Sequence, residues 1–121
     1  MELEVTGTRG AKGVLRIPAS VSVKGTDCKV TSIGKGAFKG NKKLRSLTVG
    51  ASVRRINAGA FSGCRSLKEV IIRSKALSYV GRNAFQGIHP KARIKVPPKK
   101  LKEYRARLKG KGQRATVKVV K

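Results

Sequence analysis

A chain of 121 residues is one domain's length, enough to bury an apolar core without metals or disulfides. Hydrophobic residues make up 39%, which excludes disorder through apolar poverty; aromatics are only 4% and Trp is absent, so the core must come from Val, Ile, Leu, Ala and three Phe. Thirty Lys and Arg stand against Glu2, Glu4, Asp27, Glu69 and Glu103, a net charge of +25 that attracts polyanions of any kind, from nucleic acid to wall polymer, acidic glycan or lipid headgroup.

The N-terminal stretch holds four short β-prone runs, Leu3 to Val5, Val14 to Ile17, Val21 to Val23 and Cys28 to Thr31. Turn-like residues separate them at Gly7 to Gly10, Pro18 to Ser20 and Gly25 to Asp27. Residues 1–29 are read as an N-terminal β cap carrying a partial first rung. Met1 is followed by Glu-Leu-Glu-Val and not by a basic, then apolar, stretch, so no export signal is expected here and the chain is read as an excised piece. No apolar run approaches the roughly 20 residues of a membrane span.

Residues 30–97 repeat. Ala37-Phe38-Lys39-Gly40, Ala60-Phe61-Ser62-Gly63 and Ala84-Phe85-Gln86-Gly87 recur at steps of 23 and 24 residues, within the roughly 20–29 of leucine-rich repeats. Each copy leads into an alternating apolar run: Leu44/Leu47/Val49, Leu67/Val70/Ile72 and Ile94/Val96. Period 2 predicts a half-buried strand there, with neighbouring rungs pairing side by side. A second apolar pair, Val53/Ile56 and Leu77/Val80, closes each rung. The Ala-Phe segment is expected to form one helical or 3-10 turn that drops Phe into the core. Phe38, Phe61 and Phe85 should then stack in a column. On the strands, Arg45/Lys68/Ala92 and Thr48/Ile71/Lys95 are expected to face outward, a mixture that is no polyanion groove.

After Pro97-Pro98, Leu101, Tyr104 and Leu108 predict a helix over Lys99 to Lys109, ended by Gly110, and Ala115 to Val120 predicts a last strand. Residues 98–121 are read as a basic C-terminal cap. Lys109-Gly-Lys-Gly112 lacks the Lys-Ser/Thr of a phosphate loop and is read as a flexible turn.

The repeat unit resembles that of the BspA-like leucine-rich repeats of bacterial surface proteins, approximately Ile-Gly-x-x-Ala-Phe-x-Gly-Cys-x-x-Leu-x-x-Val-x-Ile-Pro. The second rung carries Ala60-Phe61-Ser62-Gly63-Cys64 and Leu67/Val70/Ile72; the first carries Ile33-Gly34 and Ala37-Phe38 with Asn41 in the Cys place; the third carries Val80-Gly81, Ala84-Phe85 and Val96-Pro97. Asn57 stands where the unit has Gly, and Gly50 and Arg73 where it has Pro. The resemblance implies a mainly β, right-handed leucine-rich-repeat solenoid with short helical turns, a β cap at the N-terminus and a helix-plus-strand cap at the C-terminus. It also implies surface exposure and, in some members, adhesion.

Chemistry has little to work with. His89 has no carboxylate or nucleophile beside it and is read as a turn residue. The acids are scattered, and Cys28, Cys64 and His89 lack the paired spacing of a zinc site. The two cysteines could pair in an oxidising compartment, but each is read as a small buried hydrophobe. No enzyme, cofactor or metal is expected. Two candidate anion patches are Arg54 and Arg55 on the second turn, and Lys99, Lys100, Lys102, Arg105, Arg107 and Lys109 on the cap helix. The expected function is monomeric, extracellular or cell-surface recognition, adhesion or display, binding a host or bacterial surface protein or an anionic glycan or wall polymer. Alternatives are an intracellular basic protein binding nucleic acid nonspecifically, and a spacer without a ligand.

Overall fold

Each rung of the chain lays one strand in each of two sheets and crosses between them through the Ala-Phe turn. The computed structural model describes residues 2–7 and 12–121. In one sheet the order is β1 (Glu2–Val5), β4 (Thr26–Ile33), β6 (Arg55–Ile56) and β8 (Tyr79–Val80), all parallel. In the other, β2 (Gly13–Arg16), β5 (Leu44–Val49), β7 (Glu69–Ile72), β9 (Arg93–Lys95) and β10 (Lys118–Val120) follow in sequence order, again all parallel. Parallel neighbours in sequence order are what a solenoid of stacked rungs produces.

The N-terminal runs do more than cover an edge. β1 pairs with β4, and β2 pairs with β5, so together they form a rung preceding the first full repeat. β3 (Ser20–Val23) folds back antiparallel on β4. Its turn falls one residue earlier than expected, at Lys24 and Gly25, both with positive φ (51° and 79°), as a two-residue hairpin requires. Thr26 and Asp27 therefore belong to β4. The turn expected at Gly7 to Gly10 lies, beyond Gly7, outside the described residues.

Inward positions repeat in columns: Leu47/Val70/Ile94, Val49/Ile72/Val96 and Ile33/Ile56/Val80, every one buried. The phenylalanines stack as expected. Phe38 and Phe61 lie 5.3 Å apart between ring centroids at 1° to one another, and Phe61 and Phe85 lie 5.7 Å apart at 11°. These are offset, near-parallel pairs, each contributing about 0.5–1.5 kcal/mol beyond area burial.

The Ala-Phe turns contain 3-10-type bonds, such as Ala37 N–H to Gly34 O and Asn41 N–H to Phe38 O, without becoming a helix. The intervening N–H groups point along the solenoid instead. Gly36, Phe38 and Gly40 donate to Ala58, Ala60 and Ser62, and Gly59, Phe61 and Gly63 donate to Arg82, Ala84 and Gln86. A third hydrogen-bonded face is thereby built from turns. It needs a left-handed residue at the same place in every rung, filled by Gly36 (φ 62°), Gly59 (64°) and Asn83 (58°). Asn is among the few side chains that tolerate this region.

One outward position is corrected. Ala92 is fully buried, occupying the inward place that Leu67 holds one rung earlier. The His89-Pro90-Lys91 turn, closed by the Ala92 N–H to His89 O bond, shifts the register relative to the second rung.

The cap is a 3-10 turn (Pro98–Lys100), helix α1 (Leu101–Leu108) and β10. Pro97, with φ −57°, stops the strand and presets the turn. Tyr104 and Leu108 bury the helix's apolar face against the last rung.

Candidate functional site

At the end of a stack, the last rung leaves backbone groups that a further rung would have paired. The cap supplies side chains for them. The buried Tyr104 hydroxyl donates to Ser74 O at 2.8 Å and accepts from Leu77 N–H at 3.0 Å. Arg107 donates to Leu77 O at 2.9 Å. Burial pushes the Tyr104 phenol above its usual pKa, so the hydroxyl remains protonated and able to donate.

Lys109 to Gly112, expected to be a flexible turn, is instead seated on the end of the turn face. Lys111 O accepts from Phe85 N–H at 3.1 Å. A Cβ on Gly112 would lie 2.6 Å from Cβ of Gln86, and the residue has φ 93°. Glycine is required there on both counts.

This arrangement decides what the sequence-derived cations are free to do. Arg54 pairs with Glu2 on β1. The Arg55 guanidinium lies 4.7 Å over the exposed Tyr79 ring of the next rung. Arg105 donates to Val119 O at 3.2 and 3.3 Å, holding β10 to the helix. Arg107 also pairs with Glu103 at 2.6 Å, and Lys100 reaches the same carboxylate at 3.7 Å. The Arg107 hydrogen bond is the main cause of the lowered Glu103 pKa. Lys99, Lys102 and Lys109 are exposed on the cap. The patches lie on adjoining elements, since β6 pairs with β8 and α1 packs on β8, but five of the eight cations already have intramolecular partners.

A second basic site lies on the turn face and was not singled out from the sequence. In the stacked turns, Lys35, Ala58 and Arg82 occupy one column, and Lys39, Ser62 and Gln86 another. The middle rung thus offers only Ala58, Gly59 and Ser62 between long side chains above and below. The result is an open trough of about 360 Å³ walled by Lys35 and Lys39 on one side and by Arg82, Asn83 and Gln86 on the other. Rungs spaced roughly 4.8 Å apart put the two walls about 10 Å apart at the backbone. No acid lines the trough; Glu4 of β1 comes to its edge, where its carboxylate accepts from Asn57 beside Ala58 at 3.3 Å. Among the described residues, the side chains of Lys35, Lys39, Ser62, Arg82, Asn83 and Gln86 have no intramolecular polar partner. The signal for this site was readable only across the repeats, by comparing residues 23 or 24 apart.

Cys28 and Cys64 are free, buried thiols. Burial pushes Cys64 from 9.0 up to about 11, partly offset by a backbone hydrogen bond from Asn41. His89 closes its own turn, Nδ1 accepting from Lys91 N–H at 3.0 Å. No helix among the described residues is long and apolar enough to cross a membrane.

Comparison with known proteins agrees with the repeat. The family model for the BspA type leucine rich repeat region matches residues 21–107 in six copies. A crystal structure of a leucine-rich repeat protein from Bacteroides ovatus ATCC 8483 is similar, with 27% identity over 69% of this chain and a TM-score of 0.47. The chain spans only 27% of that protein's length. Among curated proteins, no sequence matches. With three Ala-Phe rungs and the family's own pattern running through most of its length, the chain belongs to the BspA-type leucine-rich repeat family.

Proposed function

We infer that the chain is a non-catalytic recognition module exposed at a bacterial cell surface, binding an anionic partner without turnover. Its family supplies repeat surfaces suited to protein interaction or surface display. The observation that carries the anionic partner is the trough on the turn face, which no acid lines and whose cations are left without intramolecular partners while those of the cap and of β6 are largely engaged. A rigid hydrogen-bonded backbone beneath them keeps the ordering cost of binding low.

The test is binding of the purified chain to heparin, teichoic acid, single-stranded DNA and fibronectin at low and physiological salt. Retention of one glycan, wall polymer or protein at physiological salt supports the reading. Uniform binding that vanishes on raising salt reduces the charge to a nonspecific field and favours a spacer. Salt-resistant preference for DNA would replace the surface reading with a nucleic-acid one.

A further inference from the structure

We propose that the turn-face trough is a glycan subsite, holding a short segment of acidic polysaccharide with one anionic group at each wall. This rests on the anionic-partner reading above and gives it a location and a ligand class. Three features select the ligand. Lys35 and Lys39 face Arg82 across two rung spacings, so the cations match two separate charges along a chain better than one compact multivalent anion. Ser62 lies between them, and Asn83 and Gln86 stand beside Arg82 on the far wall: a hydroxyl and two amides that can both donate and accept, the chemistry that reads sugar hydroxyls. No aromatic residue lines the trough, so it lacks the stacking platform that single-stranded nucleic acid uses.

The third rung shows the same preference in its sequence. Asn83 holds the left-handed position that glycine fills at Gly36 and Gly59, placing a polar side chain at the trough wall where the backbone alone calls for none. The small residues at 58, 59 and 62 do the complementary work. Lys35, Arg82, Lys39 and Gln86 show that long side chains fit the same columns, so the depression comes from side-chain size in one rung and not from the turn's backbone.

The experiment compares three variants by calorimetric titration with a heparin-derived hexasaccharide at physiological salt. Ala58→Gln with Ser62→Gln fills the trough and leaves the net charge unchanged. Lys35→Ser, Lys39→Ser and Arg82→Ser together remove the walls. Lys99→Ser, Lys102→Ser and Lys109→Ser together remove equal charge from the cap. The filled and wall-less variants are expected to bind roughly tenfold more weakly, from the loss of charge-assisted hydrogen bonds, and the cap variant less than about threefold. Thermal unfolding confirms that each variant is folded; the wall variant changes only exposed or partly exposed side chains and decides the matter should the filled one unfold.

Wild-type affinity in the filled variant, or equal losses in the wall and cap variants, would overturn the trough while leaving the broader surface reading intact. Tighter binding of a single-stranded oligonucleotide of equal charge, lost in the filled variant, would overturn the glycan assignment. A wild-type chain that binds none of these polymers would remove both readings.

Discussion

At the scale of single residues, the hydroxyl of Tyr104 shows how a solenoid can be ended by side chains. It replaces the two backbone partners that another rung would have offered to Ser74 and Leu77. Tyr104→Phe keeps the ring and its burial but leaves an N–H and a C=O unsatisfied, so urea unfolding should show a loss of about 1–3 kcal/mol. Tyr79→Phe, at an exposed ring, should change stability by less than about 0.5 kcal/mol. The apolar face containing Tyr104 was legible from spacing alone. Its hydroxyl partners were not, because they lie 27 and 30 residues away and meet it only once the rungs stack. Cys64 carries a pH prediction. With its folded value near 11 against an ordinary 9.0, the unfolded chain loses the proton first as pH rises. The thiol's contribution is therefore complete below pH 9 and is lost between 9 and 11, whereas acidification leaves it untouched. Cys64→Ala should flatten that part of a stability profile, and a thiol reagent at pH 8 should label Cys64 only on unfolding.

At the scale of elements, the turn and the cap depart most from a reading along the chain. Steps of 23 and 24 residues made the Phe column and the inward strand positions readable, since identical residues recur in register. Ala92 was misplaced because the register of Lys68 was copied across a turn that His89 and Pro90 close differently. The trough escaped notice because it arises from what the middle rung lacks, and Ala58 and Ser62 are unremarkable in any linear reading. On the cap helix, Arg105 and Arg107 donate to Val119 O and Leu77 O and so help hold the cap in place, while Lys99, Lys102 and Lys109 stay exposed. Ending the chain at Pro97 should therefore bare the buried face of Phe85 and Leu77 and leave the edge of β9 unpaired. Light scattering should show concentration-dependent association in that truncated chain and none in the intact one.

At the scale of the whole molecule, two sheets and a face of stacked turns form a rod whose surfaces carry charge unequally. Glu2, Glu4 and Asp27 moderate the sheet containing β4, while no acid lines the trough on the turn face. Net charge made an anionic partner the expectation from the sequence, but which side of the rod presents unengaged cations depends on the partners the fold gives them. The most direct measurement is an amide-shift titration of isotope-labelled protein with a heparin-derived hexasaccharide at physiological salt. The expected result is saturable shifts centred on residues 35–40, 58–63 and 82–87, with α1 and β6 little changed. Shifts centred on Lys99, Lys102 and Lys109, or on Arg54 and Arg55, would contradict it and return the binding surface to the cap and the second turn.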